Sequence, residues 1–178
     1  MNKIRRKFFY LLYYYFARFL PPTHRGILGQ IGGKIRYCCA KELFDYCGKN
    51  VNIEHMANFG NGKGIEIGDN SGIGIHCYVA PNTFIGKDVM MGPHCHIMYP
   101  RTHTFDSTNV PIRWQGSHNI EKRTIISDGV WMGRQCIMLP GKTIGVHSII
   151  GAGSVICKDV PEYVIVGGNP IRIIRKRK

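Results

Sequence analysis

From Ile67 to Val160 an aliphatic residue or Met returns at every sixth position. The first run is Ile67, Ile73, Val79, Ile85, Met91 and Ile97; the second is Ile126, Met132, Met138, Ile144, Ile150 and Ile156. Ile, Val, Leu and Met make up roughly a quarter of the chain, so twelve chance hits have odds of about one in ten million, and the pattern reflects structure. The following position is usually Gly or small (Gly68, Gly74, Ala80, Gly86, Gly92, Ser127, Gly133, Gly145, Gly151). Three residues later comes a small or β-branched residue, among them Ser71, Cys77, Thr83, Cys95, Cys136 and Ser148. A period of six suits neither an amphipathic helix nor a hairpin meander. It predicts short strands joined by sharp corners, each coil stacked on the one before. The periodic aliphatic points inward, Gly relieves the corner backbone, and the second small residue sits where the interior narrows.

The same spacing in Cys47-Gly48, Ile53-Glu54 and Phe59-Gly60 predicts an earlier coil, with a small loop near residues 61–64 where the register slips. Residues 51–166 are therefore read as an all-β solenoid interrupted by a loop at 99–124, and residues 167–178 as a basic tail. Residues 23–50 are read as linker and cap, with a short helix around Ala40 to Tyr46 covering the open strand edges. Residues 1–22, basic and then densely aromatic, predict a helix closed by Pro21-Pro22. The apolar run is too short to span a bilayer, Arg18 interrupts it, and no small-residue cleavage site follows. Two readings remain open for this helix: it packs on the solenoid or on a neighbouring subunit, or it lies at an inner-membrane surface with aromatics among the headgroups and cations on anionic lipid.

The chain has 178 residues, enough for one domain with a sizeable core, and 24 Lys plus Arg against 11 Asp plus Glu, a net charge of +13. Nucleic acid, anionic membrane and phosphorylated ligands could all use that charge. The cations gather at the two ends, and no nucleic-acid-binding signature lies between them, so nucleic acid is not an expected partner. Seven Cys without a CxxC pair indicate neither a zinc ribbon nor a disulfide framework. Cys77, Cys95 and Cys136 fall in the inward slot and read as small buried groups in a reducing compartment.

The six-residue register fails after Ile97 and returns at Ile126. An insertion in a solenoid must leave the stack, and protruding loops on rigid scaffolds often carry function. This one contains His103, Asp106, Trp114 and His118. A loop histidine in an arbitrary protein is more often a solvated side chain than a catalyst. The surrounding words change that weighting: "THTFD", "VPI", "QG", "VWMG", "LPGKTIG", "IGAGSVICKDVP" and "GGNP". Together they resemble the hexapeptide-repeat acyltransferases, in the maltose and galactoside O-acetyltransferase and capsular-polysaccharide branch, over roughly Gly48 to Arg175.

That resemblance implies a single-stranded left-handed parallel β-helix with a protruding catalytic loop and a short helical N-terminal segment. General topology would favour the opposite hand, so the resemblance alone supports it. It further implies acetyl transfer from acetyl-CoA to a sugar hydroxyl, in surface polysaccharide or glycoconjugate biosynthesis, with no metal. The expected location is the bacterial cytoplasm or the inner-membrane surface. His103 matches the family's loop base. The chemistry suits it, since an imidazole of pKa about 6.5 can take a hydroxyl proton as the bond to a thioester carbonyl forms.

Matched motif by motif, the donor-binding positions fall on Trp131, Arg134, Ala152, Cys157, Lys158, Arg172 and Arg175, with the Arg134 amide as oxyanion donor. Two departures stand out: Arg134 replaces a small residue and Cys157 replaces Thr. Acceptor contacts are expected from Asn82, Tyr99, Asp106 and Trp114, and the family implies a homotrimer with active sites between subunits. Other acceptors (serine, an antibiotic, an amino sugar) remain open, because an amine also needs a base. A metalloenzyme similar to γ-class carbonic anhydrases is suggested by His76, His94 and His96 around Cys95, but their spacing does not match that family's. A non-catalytic scaffold would leave the loop histidine without a role.

Overall fold

A computed structural model describes residues 3–177. The periodic segment forms a parallel β-solenoid with three faces. The first face stacks Tyr46–Cys47, Ile65–Ile67, Thr83–Ile85, Thr124–Ile126 and Thr143–Ile144. The second stacks Asn52–Ile53, Gly72–Ile73, Met90–Met91, Trp131–Met132, Ile149–Ile150 and Val164–Gly167, and the antiparallel strand Arg172–Lys176 closes it. The third stacks Tyr78–Val79, His96–Ile97, Ile137–Met138 and Val155–Ile156, with Asn58 bridging to Tyr78. Asn58 thus completes the early coil expected from residues 47–60.

Register places the periodic residues in columns: Ile67, Ile85, Ile126 and Ile144 align on one face, Val79, Ile97, Met138 and Ile156 on another. Every one of these eight is fully buried. Most strands of the stack contribute one inward aliphatic, and Ile65–Ile67 and Val164–Gly167 contribute two, so hydrophobic burial is spread along the stack.

The glycines act differently from the expectation. Gly68, Gly74, Gly86, Gly92, Gly133 and Gly145 do not adopt positive φ; a Cβ on any of them would lie within 2.8 Å of backbone in the next coil. They permit close coil-to-coil approach. The left-handed corner conformation falls two residues later, on Asn70, His76, Asp88, His94, Gln135 and His147, with φ of 54–59°. Asn, Asp and His tolerate that region best among residues with a side chain. Each corner is held by its own N–H, as where His94 N donates to Ile75 O at 2.8 Å and Gln135 N to Pro93 O at 2.9 Å.

The inward small residues also do more than fill space. Cys77, Cys95 and Cys136 donate S–H to the carbonyls of Gly92, Gly133 and Gly151 in the following coil at 3.1, 3.1 and 3.2 Å. Ser71 and Ser148 do the same through Oγ, each at 2.7 Å. These bonds satisfy carbonyls that no strand pairing reaches.

The N-terminal part departs furthest from the expectation. The first helix, α1, spans Lys3–Tyr15, and the second, α2, spans Gly26–Leu43, beginning well before the short helix expected around residues 40–46 and ending inside it. Gly29, Gly32 and Gly33 are buried on α2, and a Cβ at Gly29 would strike Pro22 O. Glycines needed for contact obscured a helix that propensity alone would not favour. The pair packs on the first coil through buried Tyr13, whose hydroxyl donates to Ala57 O at 2.8 Å. Fully buried Arg36 donates to the carbonyls of Ile53, Leu20 and Pro21 at 2.6, 3.0 and 3.2 Å.

Candidate active site

The interruption forms a hairpin arm. Its strands, Arg101–His103 and Ser117–Asn119, pair antiparallel, with His103 opposite Ser117 and Thr102 opposite His118. Alternation along a strand puts His103, Arg101 and Ser117 on one side of the ribbon and His118 on the other. The two loop histidines are therefore not equivalent. Arg101 fixes the His103 side by donating to Ser117 Oγ from Nε and Nη2 at 2.9 and 2.6 Å. Gln115 closes the outer turn by donating to Ser107 O and Val110 O at 2.8 and 2.6 Å. His103 is exposed, and its ring has no hydrogen-bond partner among the described residues. Asp106 and Trp114 are exposed too, with Arg113 over the Trp114 ring at 5.5 Å.

The root of the arm is tied to the solenoid. Asn82, a corner residue with φ 61°, donates from Nδ2 to Glu121 O at 3.1 Å, so its amide is engaged in holding the arm. Lys122 pairs with Asp159 at 3.0 Å, and Arg123 pairs with Glu66 at 3.0 Å while covering Phe84. The Asp159 carboxyl is held below its usual range first by the Thr143 N–H and then by Lys122. Tyr99 stands at the arm's exit beside a cleft that also includes Asp45, Lys63 and Pro81. Burial, then neighbouring Tyr99, pushes the Tyr78 hydroxyl pKa up.

Of the residues matched to the donor, Trp131, Arg172 and Arg175 lie on the second face, Arg134 and Ala152 at the corner after it, and Cys157 and Lys158 just after the third-face strand Val155–Ile156. Register aligns Met90, Trp131, Ile149, Ile165 and Arg175 on its outer surface. At about 4.8 Å per strand, Met90 to Arg175 covers about 19 Å. Trp131 is 49% exposed and Met90 61%. From this row the sequence reading named Trp131 and Arg175 and did not name Met90, Ile149 and Ile165. No local signal marks them, since other faces also place apolar residues there, among them Phe84, Ile125, Ile137 and Val155.

Arg134 and Ala152 stack at adjacent corners, with Gly153 N donating to Arg134 O at 2.9 Å. The Arg134 N–H donates to no group among the described residues. Lys158 and Arg172 line one cleft of about 180 Å³ together with Pro161 and Ile171. Cys157 is half-buried against the core. Arm and donor row are not joined within one chain: no hydrogen bond or ion pair links residues 101–119 to the solenoid among the described residues. Nor do any three described His, Cys, Asp or Glu residues converge as a metal site. His76 and His94 are stacked corner residues, 5.1 Å between ring centroids.

Fold and repeat together define a hexapeptide-repeat solenoid protein. No family model matches the chain. It is 34% identical over 144 residues to a galactoside O-acetyltransferase of Lactococcus lactis, an alignment covering 76% of this chain and 65% of that protein, just under two thirds of the relative's length. A hexapeptide-repeat-containing acetyltransferase of Vibrio cholerae superposes with a TM-score of 0.72 at 33% identity, covering 82% of this chain and 81% of that one. A second structure of that protein, complexed with acetyl-CoA, superposes with a TM-score of 0.60 at 30% identity, covering 80% and 76%. A maltose O-acetyltransferase of Clostridium difficile covers 99% of this chain and 90% of its own length, with a TM-score of 0.73 and 27% identity. The chain belongs to the hexapeptide-repeat acetyltransferase family.

Proposed function

We propose that the protein transfers an acetyl group from acetyl-CoA to a sugar hydroxyl during surface polysaccharide or glycoconjugate synthesis. The observation that carries this reading is His103: an unpartnered imidazole on a rigidly braced arm, in a chain whose relatives include sugar O-acetyltransferases. His103 takes the hydroxyl proton as the oxygen attacks the thioester carbonyl. The free N–H of Arg134 donates to the oxyanion of the tetrahedral intermediate. Collapse breaks the carbon–sulfur bond, and His103 returns the proton to the departing thiolate.

The residues fit the donor. The apolar row of Met90, Trp131 and Ile149 suits an extended pantetheine arm, and Arg172, Arg175 and Lys158 suit its phosphates. Arm and donor row do not meet within one chain, which favours a homotrimer with each site shared between subunits, the arm of one facing the row of the next. Asp106, Trp114, Tyr99 and the side-chain Oδ1 of Asn82, which has no partner among the described residues, then face the acceptor.

The test is thiol release from acetyl-CoA across a panel of sugars. His103→Ala should lower kcat by about 10² to 10⁴ and leave the KM for acetyl-CoA near its original value. Near-native turnover in that variant removes the role from His103. Release with amines but not with sugars overturns the acceptor class.

A further inference from the structure

Nine of the 24 Lys and Arg lie ahead of the first acidic residue, Glu42. α1 puts Tyr13 fully and Phe9 partly into the protein. Ile4, Phe8, Leu11 and Tyr15 lie within about 60° of one another on a helix turning about 100° per residue, opposite that packed side. They are 78, 59, 44 and 78% exposed. A continuous apolar line of this kind differs from scattered surface hydrophobics. Phe19, 57% exposed, and Ile27 and Leu28 at the start of α2, 76 and 69% exposed, add further uncovered apolar side chains to the N-terminal segment.

The charges are placed to match. Lys3 and Lys7 flank the apolar line on one side and Arg5 on the other. Arg5 is paired with Glu42, but the side chains of Lys3, Lys7, Arg25 and Lys34 have no partner among the described residues. Beside the line is a cleft of about 340 Å³ lined by Lys3, Arg6, Lys7, Tyr10, Leu43 and Asn61. No helix among the described residues is long and apolar enough to cross a membrane.

We propose that this helical face docks flat on an anionic lipid bilayer. The Ile4–Tyr15 line sits among the upper acyl chains, and lipid phosphates meet Lys3 and Lys7 at the adjoining cleft. A second copy fits poorly as the occupant, since two such faces would bring two acid-free cationic segments together. The packed and the membrane-facing readings of this segment are then both true, on opposite sides of one helix. The proposal does not rest on acetyl transfer.

The experiment is co-sedimentation of the full chain with vesicles of phosphatidylcholine alone or with added phosphatidylglycerol. Binding is expected only with the anionic lipid and should weaken with salt. Phe8→Ser/Leu11→Ser should weaken it on the order of a hundredfold, about tenfold per side chain withdrawn. Lys3→Glu/Lys7→Glu should weaken it on the order of tenfold or more. Both pairs are exposed, and circular dichroism should show unchanged folding. Equal pelleting with both lipids, or none with either, overturns the proposal. So does a Phe8→Ser/Leu11→Ser chain that binds vesicles normally but sediments as a smaller assembly, which would assign the face to a second copy. Acetyl transfer to a soluble acceptor, unchanged in both variants, keeps this test separate from the catalytic one.

Discussion

Replacing Arg36 by Met should release the helical pair from the solenoid while leaving the solenoid folded. The side chain is fully buried and spans three segments, donating to Ile53 O at 2.6 Å, Leu20 O at 3.0 Å and Pro21 O at 3.2 Å. It also lies 3.9 Å from Glu54, whose side chain is 13% exposed. Met fills similar volume but donates nothing. Leu20 O keeps a contact with His55 Nδ1 at 2.9 Å, so its loss is partial, whereas Pro21 O keeps no other side-chain donor among the described residues.

An unpaired buried group costs about 1–3 kcal/mol, and Glu54 loses its cation while keeping bonds from Thr23, Asn52 and His55. Against these stands the relief of not desolvating a guanidinium. The balance is about 3 kcal/mol, or about a hundredfold in local opening. Hydrogen exchange should therefore show protection falling about a hundredfold across α1 and α2 and unchanged in the strands from Ile65 to Ile156. Arg36→Lys keeps the charge but cannot fork to three carbonyls, so it should recover less than half. Helical protection within about threefold of wild type, or a loss spread evenly over the chain, would refute the reasoning.

Gly74→Ala should cost about 2–3 kcal/mol in urea unfolding, because its Cβ would lie 2.5 Å from Met91 O; Gly60→Ala, with φ +57° and open space, should cost about 1 kcal/mol, and equal losses would sink the close-approach account. Iodoacetamide should modify exposed Cys38 first by mass spectrometry, since burial pushes the Cys39 and Cys47 thiols up to about 11 and about 12; early labelling of Cys95 would show that the interior opens. Burial opposes ionisation of Glu54, but bonds from Thr23, Asn52 and His55 win and hold its pKa below the usual range. A depressed folded pKa stabilises above the unfolded value of about 4.3 and is lost as pH falls through the folded one, so Glu54→Gln should flatten the acid limb of Tm against pH; an unchanged limb counts against it. Asn82→Gly keeps the corner φ but frees the arm at Glu121 O, and should lower kcat several-fold with little change in the KM for acetyl-CoA; an unchanged kcat would show that this tie does not position His103.

The coil stack was readable in advance because a solenoid repeats its local rule: one inward aliphatic per strand, a small residue beside it, the same again six residues on. The insertion was readable for the same reason, as the longest lapse of the rule. Three features escaped that reading. Gly29, Gly32 and Gly33 concealed α2, because their value lies in contacts with Pro22, Leu20 and Thr23 rather than in helix propensity. His76 and His94, suggestive of metal in a linear reading, are left-handed corner residues stacked between coils. The row from Met90 to Arg175 draws single residues from five strands, and no local window contains two of its members.

Spacing along the chain settled the interior columns, the break that becomes the arm, and the concentration of cations at the ends, since each depends only on neighbours in sequence. Assembly in three dimensions decided which glycines serve close approach, which side of the ribbon His103 shares with Arg101 and Ser117, and that α1 buries Tyr13 while leaving Ile4, Phe8 and Leu11 outside. Those outcomes turn on which coil lies against which, and coil-to-coil contacts join residues about eighteen or more positions apart, beyond the reach of any local pattern.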